Sequence, residues 1–334
     1  MDWNASHRTT IFCAMTEQTM QAPASATPAE SAAAHPQSEV TKWEALSFAS
    51  MRLFLGCLLR IVGLGGLYHL SRGFGGLEYL IDYKRRRRVS KMQSIVFDES
   101  TPKRVRRKWV CENFMRLRCD KVFYLIFDKL PKEKLAGCFE IVNRDILDAA
   151  LARGNGVYAM TSHIGSAHVI GMLMSFMGYR VSGVRSPKEG NIRRYMQSKW
   201  AEKYPDHPPI TLLYTGHFPR PIYRLFKDNF ILGSSSDVSK IPDEKMRTIP
   251  VKLFGHELEF LLGPLLIAIR CKAAVLQSFT LSSPGFKYRI EFLGPLTDPD
   301  SGDESPELLA KVMQQYADNI AEYARKYPDH ITKR

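Results

Sequence analysis

The sequence predicts an α/β protein: a largely parallel central sheet flanked by helices, preceded by an apolar helix. Three observations carry that prediction. Beyond Gly154, short runs of β-forming residues alternate with helical stretches, and strands joined through helices pair in parallel. Residues 43–70 turn apolar after a polar beginning, which sets one hydrophobic helix ahead of the alternating part. The 45% hydrophobic and 24% charged shares over 334 residues suffice for a sizeable core, in one α/β domain or two average ones, and exclude a fibrous chain.

Taken in order, residues 1–42 are rich in Ala, Pro, Ser, Thr and Gln, with too few apolar groups to offset chain entropy, which predicts a disordered tail. No basic stretch there leads directly into an apolar run, so the segment does not read as a secretory signal. Residues 43–83 are predicted to be an apolar, membrane-associating segment. Arg52 and Arg60 interrupt it, so no unbroken run reaches the ~18 apolar residues of a membrane span. Leu53, Phe54, Leu55, Leu58, Leu59, Ile61 and Val62 fit better a helix at the bilayer interface, its two arginines reaching the headgroups. A core helix of the globular domain is the alternative. Gly63, Gly65, Gly66, Gly73, Gly75 and Gly76 are expected to loosen the helix and bend the chain before the basic run Lys84 to Arg88.

Residues 84–334 are predicted to form the α/β domain. Between Ser100 and Phe127, Val105, Trp109, Val110, Phe114, Leu117, Val122, Leu125 and Ile126 recur mostly at three- and four-residue intervals, the pattern of an amphipathic helix, here with a basic back. Strands are then predicted at 157–161, 179–184, 210–214, 230–234, 274–280 and 288–292, and helices at 169–177, 222–227, 261–270 and 306–327.

The net charge of +13 is unevenly placed: residues 84–134 hold 17 Lys and Arg against 6 Asp and Glu, a local excess of +11. Such a field implies a negatively charged partner, and nucleic acid, anionic lipid or an acidic carrier protein would each satisfy it. The basic residues lack interleaved stacking aromatics or a reading motif, which argues against nucleic acid. Cys13, Cys57, Cys111, Cys119, Cys138 and Cys271 form no C-x-x-C pair, so reduced thiols are expected rather than a zinc module or a disulfide framework.

The most informative stretch is Thr161 to Gly171, which places His163 just past a predicted strand and before a helix. In open α/β sheets, ligands and reacting groups collect at the carboxyl ends of strands. His163 and His168 lie five apart, a poor spacing for two metal ligands on one helical face, so no metal site is expected.

The stretch resembles the H-x4-(D/E) element of glycerolipid and lipid A (lauroyl/myristoyl) acyltransferases, in the form H-x-G-x-x-E-x-x-G. His163, Gly165 and Gly171 match, the acidic position is His168, and Ser166-Ala167 replace an Asn-Trp pair. Further likenesses are Arg185 after the histidine element, Asp237 where the family carries a strand-end aspartate, Phe254-Gly255, the Gly263-Pro264-Leu265-Leu266-Ile267-Ala268 block, and Ala273 to Phe279. Upstream, Arg85 to Val89 and Pro102 to Phe114 are similar to the segments that precede the family's catalytic part, and Tyr327 to His330 to its P-E-Q block. The likeness covers roughly residues 45–330.

The resemblance implies a glycerolipid acyltransferase-like fold and a membrane-associated enzyme at the cytoplasmic face of a bacterial inner membrane. Such an enzyme moves a fatty acyl chain from acyl carrier protein or coenzyme A to a lipid A precursor or related lipid, as a monomer and with no cofactor beyond the thioester donor. His163 would be the general base. His168 would hold the place of the orienting carboxylate, which Asp237 or Glu189 would supply if His168 does not. Arg185 would grip phosphate or carboxylate, or form a surface ion pair. Asp237 would contact polar substrate or cap a helix, and Gly263 and Pro264 would allow close backbone approach and begin a helix. The alternative function is a catalytically inactive relative that binds lipid or a partner enzyme, because the motif carboxylate is replaced.

Overall fold

The computed structural model describes residues 40–97, 100–185, 191–214, 220–238 and 246–332, so most of the expected tail lies outside the described residues. In chain order the helices are α1 (Lys42–Ile81), α2 (Tyr83–Val96), α3 (Lys103–Ile126), α4 (Lys132–Ala136), α5 (Arg144–Ala152), α6 (Ala167–Phe176), α7 (Asn191–Lys203), α8 (Arg220–Lys227), α9 (Gly263–Arg270) and α10 (Pro306–Lys326). The strands are β1 (Phe139–Val142), β2 (Val157–Thr161), β3 (Val181–Arg185), β4 (Thr211–Tyr214), β5 (Ile231–Ser235), β6 (Thr248–Leu253), β7 (His256–Leu261), β8 (Ala274–Ser283) and β9 (Lys287–Leu293).

Seven strands form one sheet in the order β1-β9-β8-β2-β5-β3-β4. Every pairing is parallel except that of β8 with β9. Alternation along β2 divides the core into two layers: Val157 and Ala159 pack with α3, α5, α6 and α7, while Tyr158 and Met160 pack with α8, α9 and α10. The expected α/β architecture is therefore present. A separate hairpin of β6 and β7 turns through Phe254 and Gly255, both at positive φ (52° and 77°), the two-residue turn whose twist suits antiparallel strands.

Two expectations about the apolar segment need correction. The expected bend falls at one glycine only: α1 kinks at Gly63 (φ 68°, ψ −179°), where two helical halves meet, while Gly65, Gly66, Gly73, Gly75 and Gly76 stay helical. Gly75 instead lets α1 lie against α3, because a Cβ there would stand 2.5 Å from Cα of Met115 and 2.8 Å from the carbonyl oxygen of Phe114. Nor does Arg52 reach outward. It is buried at 7% exposure, ion-paired to Asp128 and donating from Nε to the carbonyl of Leu125 at 3.2 Å. Among the described residues α1 is the one helix that is long and apolar enough, by length and composition, to span or anchor a membrane.

Candidate active site

Parallel pairing fixes the centre of the site. Thr161 at the end of β2 lies opposite Ser235 at the end of β5, so His163 and Asp237 each stand two residues beyond a matched pair, at the same edge of the sheet. Asp237 Oδ1 is 2.9 Å from Nδ1 of His163, and Asp237 Oδ2 accepts the backbone N–H of His163 at 3.0 Å. An ionised carboxylate only accepts, so Nδ1 carries the proton and Nε2 is left as the basic nitrogen. The Tyr316 hydroxyl donates to the carbonyl of Thr161 (2.6 Å) and the hydroxyls of Thr161 and Ser235 lie 3.0 Å apart, which ties the two strand ends together. Beneath them burial pushes the Tyr158 phenol up to about 12, against the pull of its Ser236 and Ser234 hydrogen bonds, so it stays neutral beside Asp237.

The loop after His163 is held from two further directions. Gly165 (φ 87°) bridges to Thr280 of β8, and a Cβ on it would lie 2.1 Å from the Thr280 carbonyl oxygen. That is a requirement for glycine with a physical cause. The C-terminal segment forms a strap beneath the histidine: Thr332 donates to the carbonyl of His163 from its N–H (2.9 Å) and its hydroxyl (2.7 Å), and the Gly165 N–H donates to the carbonyl of His330 (2.8 Å). Asn113 of α3 secures the strap through Nδ2, which donates to the carbonyls of Asp329 (2.7 Å) and Ile331 (2.8 Å). The block Tyr327 to His330 thus belongs to the support of the site.

Behind the loop lies a buried polar cluster. Arg116 Nη1 donates to Asp120 Oδ2 (2.7 Å) and to the hydroxyl of Ser166 (3.1 Å); Ser166 also donates to Asp120, and the Tyr288 hydroxyl to Asp120 Oδ1 (3.1 Å). Burial, with the charge of Asp120 adding to it, pushes the Tyr288 phenol well above its usual range. Burial would raise the Asp329 carboxyl, but the hydrogen bond and charge of His330, with the charge of Arg116, hold it below the usual range. Motif reading missed this cluster. Its one sequence signal is the i,i+4 pair Arg116 and Asp120 on the apolar face of α3.

His163 lines a cavity of about 1030 Å³. Its walls are mostly apolar, from Leu117 and Leu125 of α3, Ile170 of α6, Val184 of β3 and Leu212 of β4, and reach Met51 of α1. Arg118, Lys121 and Arg193 add positive charge to the same lining. The space suits a long apolar chain joined to an anionic head.

The expected residues divide accordingly. His163 and Asp237 meet, and Asp237 occupies the place on Nδ1 expected of His168. His168 stands in the first turn of α6 on the cavity wall, its ring centroid 5.9 Å from that of Tyr124. Arg185 ends β3 opposite Tyr214; its side chain and all of Glu189 lie outside the described residues. Gly263 and Pro264 begin α9, two residues beyond Leu261, whose N–H donates to the carbonyl of Ser236 (3.0 Å). A Cβ on Gly263 would meet nothing within 4 Å, so close backbone approach is not its role here. Among the described residues no cluster of His, Cys, Asp and Glu has the makings of a metal site. Compared with models of known protein families and with the sequences of curated proteins, the chain matches none.

Proposed function

We propose that the protein is a membrane-associated acyltransferase of glycerolipid acyltransferase-like fold, moving a fatty acyl chain from a thioester donor to a hydroxyl or amine of a lipid. The observation that carries this is the His163 and Asp237 pair, set at the sheet edge on a cavity that is apolar, cationic and continuous with α1. In the reaction, Nε2 of His163 takes the proton from the acceptor as its oxygen or nitrogen adds to the thioester carbonyl. The carbon–sulfur bond then breaks, and the same proton passes to the leaving thiolate. Asp237 holds the tautomer and stabilises the imidazolium formed on the way. Lys121 on the cavity wall offers a counter-charge for phosphate, which acyl carrier protein and coenzyme A donors and a lipid A precursor all contain. The resemblance around His163 supports a lipid A precursor or related lipid as acceptor, at the cytoplasmic face of a bacterial inner membrane.

The test is incubation of the detergent-purified chain with acyl-carrier-protein and coenzyme A thioesters and a panel of lipid acceptors, followed by mass. Acylated lipid is expected with the intact chain and not with His163→Ala. Consumption of no donor under any combination, or equal product from His163→Ala, would overturn the proposal.

A further inference from the structure

The apolar helix leaves two topologies open by length. Forty residues extend for about 60 Å, and either half around Gly63 matches the roughly 30 Å hydrocarbon thickness of a bilayer. The side chains decide between them. Four charged side chains on one face of α1, from the first turn to the last, are paired with the α/β domain. Glu44 accepts from Asn191 of α7 (2.9 and 3.0 Å), Arg52 pairs with Asp128, Arg72 with Glu112 of α3 (2.8 Å), and Glu78 with Arg118 of α3. Phe48 packs on Tyr195 of α7 at 5.5 Å between ring centroids.

The exposed surface of α1 is mostly apolar, interrupted by Arg60 and His69. Leu46, Leu53, Phe54, Ile61, Phe74 and Leu80 are 56–79% exposed, and the charged side chains exposed on α1 are Lys42 and Arg60. Apolar surface of this extent marks a binding face. After Asp82 the chain continues directly into α2, where Lys84, Arg87, Arg88 and Lys91 are exposed, and basic residues beside an apolar face complement anionic headgroups.

We infer that α1 lies flat in one leaflet of an anionic bilayer, its apolar face in the hydrocarbon and both its ends on the same side as the α/β domain, rather than crossing the membrane. A crossing would carry Glu44 away from Asn191, or Glu78 away from Arg118, and strand the abandoned partners. The inference extends the membrane-associated part of the function proposed above and stands whether or not acyl transfer occurs. It also explains why the cavity wall includes Met51: a lipid enters sideways, from the leaflet that holds the helix.

Two measurements on the full chain test it, neither of which reads acyl transfer. Lys42→Cys and Lys91→Cys variants, in membranes of bacterial cells expressing them, are treated with a membrane-impermeant maleimide in spheroplasts and in inverted vesicles. Labelling above the unsubstituted chain is expected from one and the same side for both positions. Labelling from opposite sides would overturn the inference. Purified chain is then bound to vesicles of phosphatidylglycerol or phosphatidylcholine. At least about tenfold tighter binding to the former is expected, weakened by Leu53→Asp and Phe74→Asp, whose side chains touch solvent rather than core. Equal binding to both, or a dimer in solution that the same two substitutions dissolve, would assign the face to another occupant.

Discussion

Asp237 is bonded to His163 twice, from Oδ1 to the ring and from Oδ2 to the backbone N–H. The second bond fixes where the histidine backbone leaves β2, and the first fixes which ring nitrogen is protonated. A carboxylate 74 residues away thus supplies the function that the H-x4-(D/E) pattern assigns to the fifth residue of the loop, where this chain has His168. Asp237 comes from the end of the neighbouring strand and not from the loop itself. The reaction needs only one of the two residues to be negative.

The close contact at Gly165 predicts an unequal response of two glycines with the same φ. Gly165 and Gly178 both have φ 87°, yet a Cβ would strike the Thr280 carbonyl at 2.1 Å in the first and nothing within 4 Å in the second. Gly178→Ala is expected to cost about 1 kcal/mol, and Gly165→Ala at least about 3 kcal/mol, because β8 has to move. Urea unfolding midpoints measure both. Equal losses would mean the contact with Thr280 carries no constraint.

Asn113 anchors the strap beneath His163. Asn113→Ala removes two donors from buried carbonyls and is expected to lower stability by about 2–4 kcal/mol. Hydrogen exchange at the amides of Gly165 and Thr332 should quicken in the same variant. Unchanged protection there would separate Asn113 from the site.

The pair Arg52 and Asp128 is nearly closed to solvent, with side-chain exposures of 9% and 10%. Arg52→Leu or Asp128→Leu alone leaves a buried charge without its partner and is expected to cost about 3–5 kcal/mol. The double variant should cost clearly less than the sum, and a double-mutant cycle in denaturant reads the difference. Additive losses would show that the two side chains do not depend on one another.

Burial, with the charge of Asp120 adding to it, pushes the Cys119 thiol up to about 12. At pH 8 roughly one molecule in 10⁴ then carries the thiolate, the form that reacts. Mass spectrometry after iodoacetamide should find Cys119 unmodified in the native chain and modified in guanidinium. Rapid native modification would mean that this part of α3 opens readily.

The sheet was legible because its strands are short β-forming runs between helices, and six of the seven fall within a few residues of where pattern places them. The seventh, β1, has only four residues and no periodicity to read; the hairpin likewise shows weak patterning on β7, whose first four residues are exposed. His163 stood out from its place after a strand, and Asp237 from the family likeness. Their contact depends on the register of β2 against β5, which no local spacing encodes. Arg52 misled for the same reason. An arginine in an apolar run reads as a headgroup contact until Asp128, 76 residues on, is seen to meet it. The strap was beyond reach, since Thr332 and His163 are 169 residues apart.

The rate of acyl transfer in Asp237→Asn beside that in His168→Glu tests the central claim most directly. With Asp237 as the orienting carboxylate, Asp237→Asn should lose about 10³–10⁴ in turnover through the wrong tautomer, while His168→Glu gains nothing. A full rate in Asp237→Asn, together with a large gain in His168→Glu, would move the working carboxylate to position 168 and contradict the account.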